Sequence, residues 1–272
     1  FTLLGLAVLV SVAAFVFLWL AVGREPDVPA NAVLSIKLQG ELAESPSRDV
    51  VGYLRGSRAP SLRSVVENLH KAKVDKRVGG VFLRLKGLES PYWGKVQELR
   101  DAVLDFRKSG KPLYAYLEYG GDREYYLASA ADKVYLMPSS PLELAGIATY
   151  QVFLKGAFDK AGVVPDLHHI GDFKTAPNTF TEKGYTAAHR EMDQAINRDL
   201  LQHVIAGIAV GRKKPEADVR RLIDDGPFLP EDAAHVGLID DVAYEDQVQD
   251  RLADAIHSGD RVMDGDDYSR VS

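Results

Sequence analysis

The residue whose setting points most directly to chemistry is Lys174, in the run Gly171-Asp172-Phe173-Lys174-Thr175-Ala176. It follows an apolar stretch (Val163, Val164, Leu167, Ile170) and a glycine, a setting that can turn a side chain inward. Burial disfavours a charged ammonium, so an inward lysine gives up its proton far more easily than a solvated one. A neutral amine can then take the proton of a serine hydroxyl and so create a nucleophile. To be substantially neutral at pH 7 its pKa must fall from about 10.4 by roughly 3, which the fold supplies at about 4 kcal/mol. Left in solvent, the same residue is an ordinary surface cation.

Other chemistries find less support. Seven histidines invite a search for a metal site. His168 and His169 are adjacent on a predicted strand, so they point to opposite faces and cannot share one ion. There is no His-Glu-x-x-His, and with no cysteine there is no thiolate site and no disulfide. Gly79-Gly80 precedes a strand rather than joining strand to helix, so no dinucleotide fingerprint is present, nor is a phosphate-loop lysine motif. No Gly-x-Ser-x-Gly occurs. Ser129, flanked by Ala128, Ala130 and Ala131 in a predicted helix, reads as a small packing residue. The chain thus offers a base without a convincing nucleophile.

Alternating strand and helix patterns must position these residues. Val33 to Leu38 alternates like a strand and ends at Gly40. Ser61 caps a helix with Leu62, Val65, Val66 and Leu69 at helical spacing. Val81 to Leu85 is a second strand; Ser90-Pro91 opens a helix striped by Trp93, Val96, Leu99, Val103 and Phe106. Leu113 to Leu117 is a third strand, and the order is that of parallel β-α units. The pattern continues with a helix over 124–131, a strand over 133–136, a helix near 151–161 and a strand from Asp166 to Ile170. A long helix from about Thr186 to Val210 follows, then one over 215–225, a short capped helix near Pro230 and the exit Gly237-Leu238-Ile239-Asp240.

The net charge of −6, with no basic stripe interleaved with aromatics, argues against nucleic acid as a partner. Phe1 to Val22 contains no charged side chain. As a helix it would span about 33 Å, enough for a bilayer core. Trp19 suits the lipid interface, and Arg24, Glu25 and Pro26 stop the run. The stretch is long for a cleaved signal peptide, so the expectation is a retained single-pass anchor in a lipid bilayer. Residues 23–32 read as a linker and 33–257 as one domain. The polar, acidic stretch 258–272 reads as a linker to a further, carboxy-terminal domain.

Together these residues resemble the amino-terminal half of signal peptide peptidase A in its long, internally duplicated form. The resemblance runs through Gly110-Lys111-Pro112-Leu113-Tyr114-Ala115, Tyr125-Tyr126-Leu127-Ala128-Ser129-Ala130-Ala131-Asp132-Lys133-Val134-Tyr135-Leu136 and Gly171 to Ala176. It implies an α/β crotonase/ClpP-like β-α superhelix preceded by one transmembrane helix. It also implies a Ser/Lys-dyad serine endopeptidase that degrades cleaved signal peptides, with no metal or organic cofactor. Lys174 falls on the family's general base, and the serine comes from the protein's own carboxy-terminal half. In a serine-bearing half that serine is followed by Gly-Gly before the Tyr-Tyr pair; here Asp122, Arg123 and Glu124 stand in those places. The glycine-paired oxyanion loop after the second strand is replaced by Lys86 to Tyr92. Both departures imply a half that cannot cleave peptides alone. Thr175 would orient the lysine amine. The resemblance further implies a ring-like homo-oligomer at the bacterial inner membrane, its catalytic domain facing the periplasm.

Three other readings compete. A crotonase-like fold also suits an acyl-CoA enzyme, which the anchor and Lys174 disfavour. The half could be a non-catalytic scaffold of a membrane-tethered assembly. Or Ser129 could pair with Lys174 in a complete protease, which a helical Ser129 disfavours.

Overall fold

The computed structural model describes residues 25–45, 61–89 and 92–271, with positions 5, 9–13 and 15 near the start. Most of the expected anchor, and the expected Ser90-Pro91 helix start, lie outside the described residues. Among those described, no helix is long and apolar enough to cross a membrane.

The alternating pattern folds as a run of β-α units. β1 (Ala32–Gly40) leads to α1 (Leu62–Val74), β2 (Val78–Leu88), α2 (Trp93–Arg107) and β3 (Leu113–Leu117). Next come β4 (Gly120–Gly121), α3 (Asp122–Ala128), β5 (Lys133–Leu136) and β6 (Leu142–Glu143). Helices α4 (Lys155–Ala161), α5 (Asn178–Thr181), α6 (Ala187–Arg212), α7 (Glu216–Asp225) and α8 (Pro230–His235) follow. The chain finishes with β7 (Asp241–Val242), α9 (Glu245–Ile256), β8 (Val262–Asp264) and α10 (Gly265–Tyr268). Six strands form one parallel sheet in the order β7-β5-β3-β2-β1-β8. The fold is therefore α/β with a parallel sheet.

Parallel sheets are stable when both faces are covered, because every strand then buries side chains above and below. One face carries Leu34, Ile36 and Leu38 of β1 with Leu83, Leu85, Ala115, Leu117, Val134 and Leu136, all buried beneath α1, α2 and α3. The other presents Val33, Phe82, Tyr116 and Tyr135 to Val248, Leu252 and Ala253 of α9. Ser61 caps α1 as its sequence suggests: the Ser64 N–H donates to Ser61 Oγ at 3.1 Å, and the Ser61 N–H to Ser64 Oγ at 3.0 Å.

Two sequence expectations change. Over residues 258–271 the stretch expected to be a linker is built into the body, for β8 pairs with β1 at the sheet edge and α10 packs behind it. Met263, Tyr268 and Val271 are buried, the Asn68 amide donates to the Gly265 carbonyl at 2.8 Å, and Tyr268 Oη reaches Asp75 at 3.1 Å. Four apolar residues, Val262, Met263, Tyr268 and Val271, set among Asp and Arg are too few to show a period, which is why the stretch looks like a linker. The second change is that Asp166 to Ile170 forms no strand. Among the described residues no neighbouring strand pairs with it, and Val164 and Ile170 stand 83% and 96% exposed.

Candidate functional site

Three places bear on the expected chemistry. The first is the start of α3, where the serine-bearing pattern would put its nucleophile. Gly120-Gly121 pairs with Leu142-Glu143 as a short parallel ladder and delivers Asp122 to the helix N-terminus. The Asp122 carboxylate accepts from the Gly146 N–H at 3.0 Å. Burial, its largest influence, holds that carboxyl above the usual range, against the pull of the Gly146 and Ala145 N–H groups. Glu124, 4% exposed, turns back and accepts from the N–H of Leu88, the last residue of β2. Arg123 lies over the Trp93 ring, 5.6 Å from its centroid. Tyr119 at the rim donates to Glu143, which pushes its phenol up to about 12. These groups border a cleft of about 350 Å³.

The two departures noted in the sequence, Asp122 to Glu124 and the loop after β2, therefore meet. The carboxylate of one closes a backbone donor of the other. An oxyanion hole needs free N–H groups aimed at developing charge. Here the Leu88 N–H already serves an internal carboxylate. Sequence alone shows both departures without showing that they touch.

The second place is Ser129, the C-cap of α3. It is fully buried; its Oγ accepts from Arg100 Nη1 at 2.8 Å and donates to the Tyr126 carbonyl at 2.8 Å. Arg100, itself 2% exposed, also donates to the carbonyls of Tyr126 and Gly207 and lies over the Tyr126 ring at 4.5 Å. Burial lowers the pKa of this guanidinium. Helix α6 presses close here because it offers glycines: a Cβ on Gly211 would sit 1.9 Å from the Ser129 carbonyl oxygen, and one on Gly207 2.4 Å from the Tyr126 ring. Ser129 is sealed under a helix and has both hydrogen-bonding roles filled. It is a packing residue, as its alanine neighbours suggest.

The third place is Lys174 itself. Gly171 takes φ +76°, a left-handed turn that suits glycine, and the Lys174 N–H closes that turn on the Gly171 carbonyl at 3.4 Å. Lys174 is exposed while Thr175 beside it is 7% exposed, so the two neighbours face opposite ways. The apolar residues expected to shelter the lysine are themselves uncovered: Val163 and Leu167 are 48% and 43% exposed, and Phe173, next to the lysine, is 59% exposed as well. Within this chain, then, Lys174 is not desolvated. Among the described residues no group of three His, Cys, Asp or Glu side chains is placed to hold a metal ion.

A parallel α/β fold of this kind is found in a known protease. The fold resembles that of a mutant form of the 1510-N membrane-bound stomatin-specific protease, with a TM-score of 0.50 at 11% identity, over 82% of this chain and 85% of that one. At the level of sequence, the profile of peptidase family S49 matches residues 105–258, more than half of the chain. The chain belongs to peptidase family S49, and its relatives place it with the signal peptide peptidase A proteins. It is 30% identical over 246 residues to "Serine protease SPPA, chloroplastic" of Arabidopsis thaliana, covering 90% of this chain and 35% of that protein. It is 27% identical over 215 residues to "Protease 4" of Salmonella typhi, covering 75% of this chain and 35% of that one. "Putative signal peptide peptidase SppA" of Enterococcus faecium is 21% identical over 193 residues, with 70% of this chain and 55% of the relative covered. The chain spans about a third of the length of the first two.

Proposed function

We propose that this chain is the lysine-bearing, amino-terminal half of a membrane-anchored serine endopeptidase that degrades cleaved signal peptides. In this reading Lys174 is the general base and the nucleophilic serine belongs to the carboxy-terminal half. The observation that carries it is an asymmetry: Lys174 stands exposed among uncovered apolar residues, whereas Ser129 is sealed, Asp122 stands where the serine would be, and Glu124 occupies the Leu88 N–H. A base presented on an apolar, uncovered segment is ready to be desolvated by a second domain. That contact would take the amine out of water and so disfavour its charged form.

In the proposed cycle neutral Lys174 takes the serine proton, and the alkoxide attacks the peptide carbonyl. The tetrahedral intermediate collapses as the ammonium returns its proton to the leaving amine, and water then hydrolyses the acyl-enzyme. The anchor expected in residues 1–22 would hold the enzyme beside substrates left in the bilayer, raising their local concentration. Periplasmic orientation at a bacterial inner membrane and a ring-like homo-oligomer complete the proposal.

Reconstitution tests it. The chain alone should not turn over a fluorogenic peptide, and adding the serine-bearing half should produce turnover that a serine-directed phosphonate blocks. Turnover by the chain alone that Ser129→Ala abolishes would refute the division of labour. A protein that binds its other half yet never turns over with Lys174 and the serine intact would favour the scaffold reading.

A further inference from the structure

Between residues 145 and 203 the usual relation between polarity and burial is inverted. No apolar side chain there is buried, while three polar ones are: Thr175, Asn178 and His189, at 7%, 6% and 4% exposure. Burying a polar group is costly unless it is hydrogen-bonded, so such residues hold a conformation rather than build a core. All three lie at the base of the loop that carries Lys174. We propose that Asn178 and His189 are positioning residues for Lys174, a proposal that rests on Lys174 being the base.

The connections run as follows. The Asn178 N–H donates to the carbonyl of Thr175, the residue next to Lys174, at 3.0 Å. The Asn178 side-chain amide contacts Thr186 Oγ1 at 3.4 Å and His189 Nδ1 at 3.5 Å. Thr186, the N-cap of α6, also accepts from the His189 N–H at 3.2 Å. Edge-on rings of Tyr185 and Phe153, with centroids 4.9 and 5.9 Å away, enclose the imidazole, and Asp193 stands 3.8 Å from its Nε2. The chain before α4 joins the same knot, for the Leu154 N–H donates to the Thr179 carbonyl at 2.7 Å and the Gln151 amide to Thr179 Oγ1 at 2.8 Å. Three separate stretches of chain are thereby tied to one side of the lysine loop, and the rigid end of the tie is α6.

A lysine side chain has large rotational freedom, and fixing it costs entropy. Holding its backbone still removes part of that cost. Misplacing a catalytic group by about 1 Å can cost on the order of 100-fold in rate. The polar knot therefore acts on kcat through the loop, not on substrate affinity.

The test compares His189→Leu with His189→Asn in the complete, serine-bearing enzyme. Leucine fills most of the ring's space without an acceptor; asparagine puts an amide oxygen near the place of Nδ1. His189→Leu should lower kcat by about 10-fold or more with KM within about twofold, and His189→Asn should recover at least about threefold of the loss. In this chain without its other half, His189→Leu and Asn178→Ala should both speed backbone amide exchange across 171–176 while exchange in β1 to β3 stays unchanged. Wild-type kcat in His189→Leu, equal losses in the two histidine variants, or unchanged exchange at 171–176 would overturn the proposal. If Lys174→Ala keeps its turnover while exchange responds as expected, the base assignment has failed and the polar knot still stands as the anchor of the loop.

Discussion

The sheet body and the segment from 145 to 203 are built on opposite terms. In the body, strands and helices bury Leu, Val, Ile and Phe to near-zero exposure; in the segment, Tyr150, Val164 and Ile170 are 83% exposed or more. Helix α6 belongs to both: Val204, Ile205, Ile208 and Ala209 in its second half are buried, while its first half buries only His189 and leaves Ile196 half exposed. Under the proposed function, these uncovered apolar residues are where the serine-bearing half would pack. The body covers its apolar side chains within this chain, and the segment holding Lys174 leaves its own uncovered. The comparison separates residues that matter for folding from residues that matter for turnover.

The sharpest way to break it is at Lys174. In the complete enzyme Lys174→Ala should lower kcat by more than about 100-fold, the scale of a lost general base. Lys174→Arg should do no better, since a guanidinium keeps its proton and cannot accept another. Because the side chain is exposed in this chain, both variants of the chain without its other half should unfold within about 0.5 kcal/mol of wild type in urea. Retention of more than a few per cent of activity by Lys174→Arg at neutral pH would make the lysine structural and move the base elsewhere.

A matched pair of truncations measures the same contrast in stability. Leu85, fully buried on β2, should cost about 2–5 kcal/mol as alanine, from lost transfer energy and the cavity left behind. Ile170→Ala, at 96% exposure, should change this chain's stability by less than about 0.5 kcal/mol. The same Ile170→Ala should weaken association with the serine-bearing half, read by titration of one half into the other. Equal destabilisation by the two truncations would erase the distinction between body and segment.

How much of this was legible beforehand follows the same divide. Strands β1, β2, β3 and β5 announce themselves because each alternates or runs apolar between turn residues, and a sheet rewards that pattern directly. Asp166 to Ile170 carries a similar local pattern and forms no strand, since a strand also needs a neighbour, which no local pattern specifies. The reverse holds at Val262 to Asp264, too short to read and yet fixed by pairing with β1. Lys174 is visible through its flanking residues and its match to a family, but its exposure is not. The pairing of Glu124 with the Leu88 N–H joins residues 36 apart, and no spacing rule links a helix start to a strand end at that distance.

The acid side of the stability profile probes the charge cluster at the end of α1, which Tyr268 of α10 joins. Asp75, at the end of α1, is held down to about 2, chiefly by the Arg77 guanidinium, against burial and with help from Tyr268 Oη. A carboxylate whose folded pKa lies below its unfolded value of about 3.9 stabilises the fold above that value. The contribution is lost as pH falls through the window from about 4 to about 2. It amounts to roughly 2 kcal/mol at most, since solvent screens part of the pairing. Urea midpoints taken across that window should fall for wild type and fall less for Asp75→Asn. Identical acid limbs in the two proteins would mean that the Asp75 carboxylate, paired chiefly with Arg77, adds nothing to stability.

A small effect is expected at Ser129, and it tests the comparison from the other side. Here is a serine in a family of serine peptidases, yet it sits in the body, with a helix glycine against its carbonyl and a buried guanidinium against its hydroxyl. Ser129→Ala removes one acceptor from Arg100, which keeps the carbonyls of Tyr126 and Gly207 and the Tyr126 ring. A hydrogen bond to a charged group contributes about 1.5–3 kcal/mol, and the remaining partners absorb part of that, so the loss should be about 1 kcal/mol. It should appear in the urea midpoint and leave kcat and KM of the complete enzyme unchanged. Arg100→Ala should cost more, because it strips both the hydrogen bonds and the stacking from the junction of α2, α3 and α6. A Ser129→Ala enzyme that folds normally but loses turnover would place chemistry in the body, and the division between a folding region and a reacting one would have to be given up.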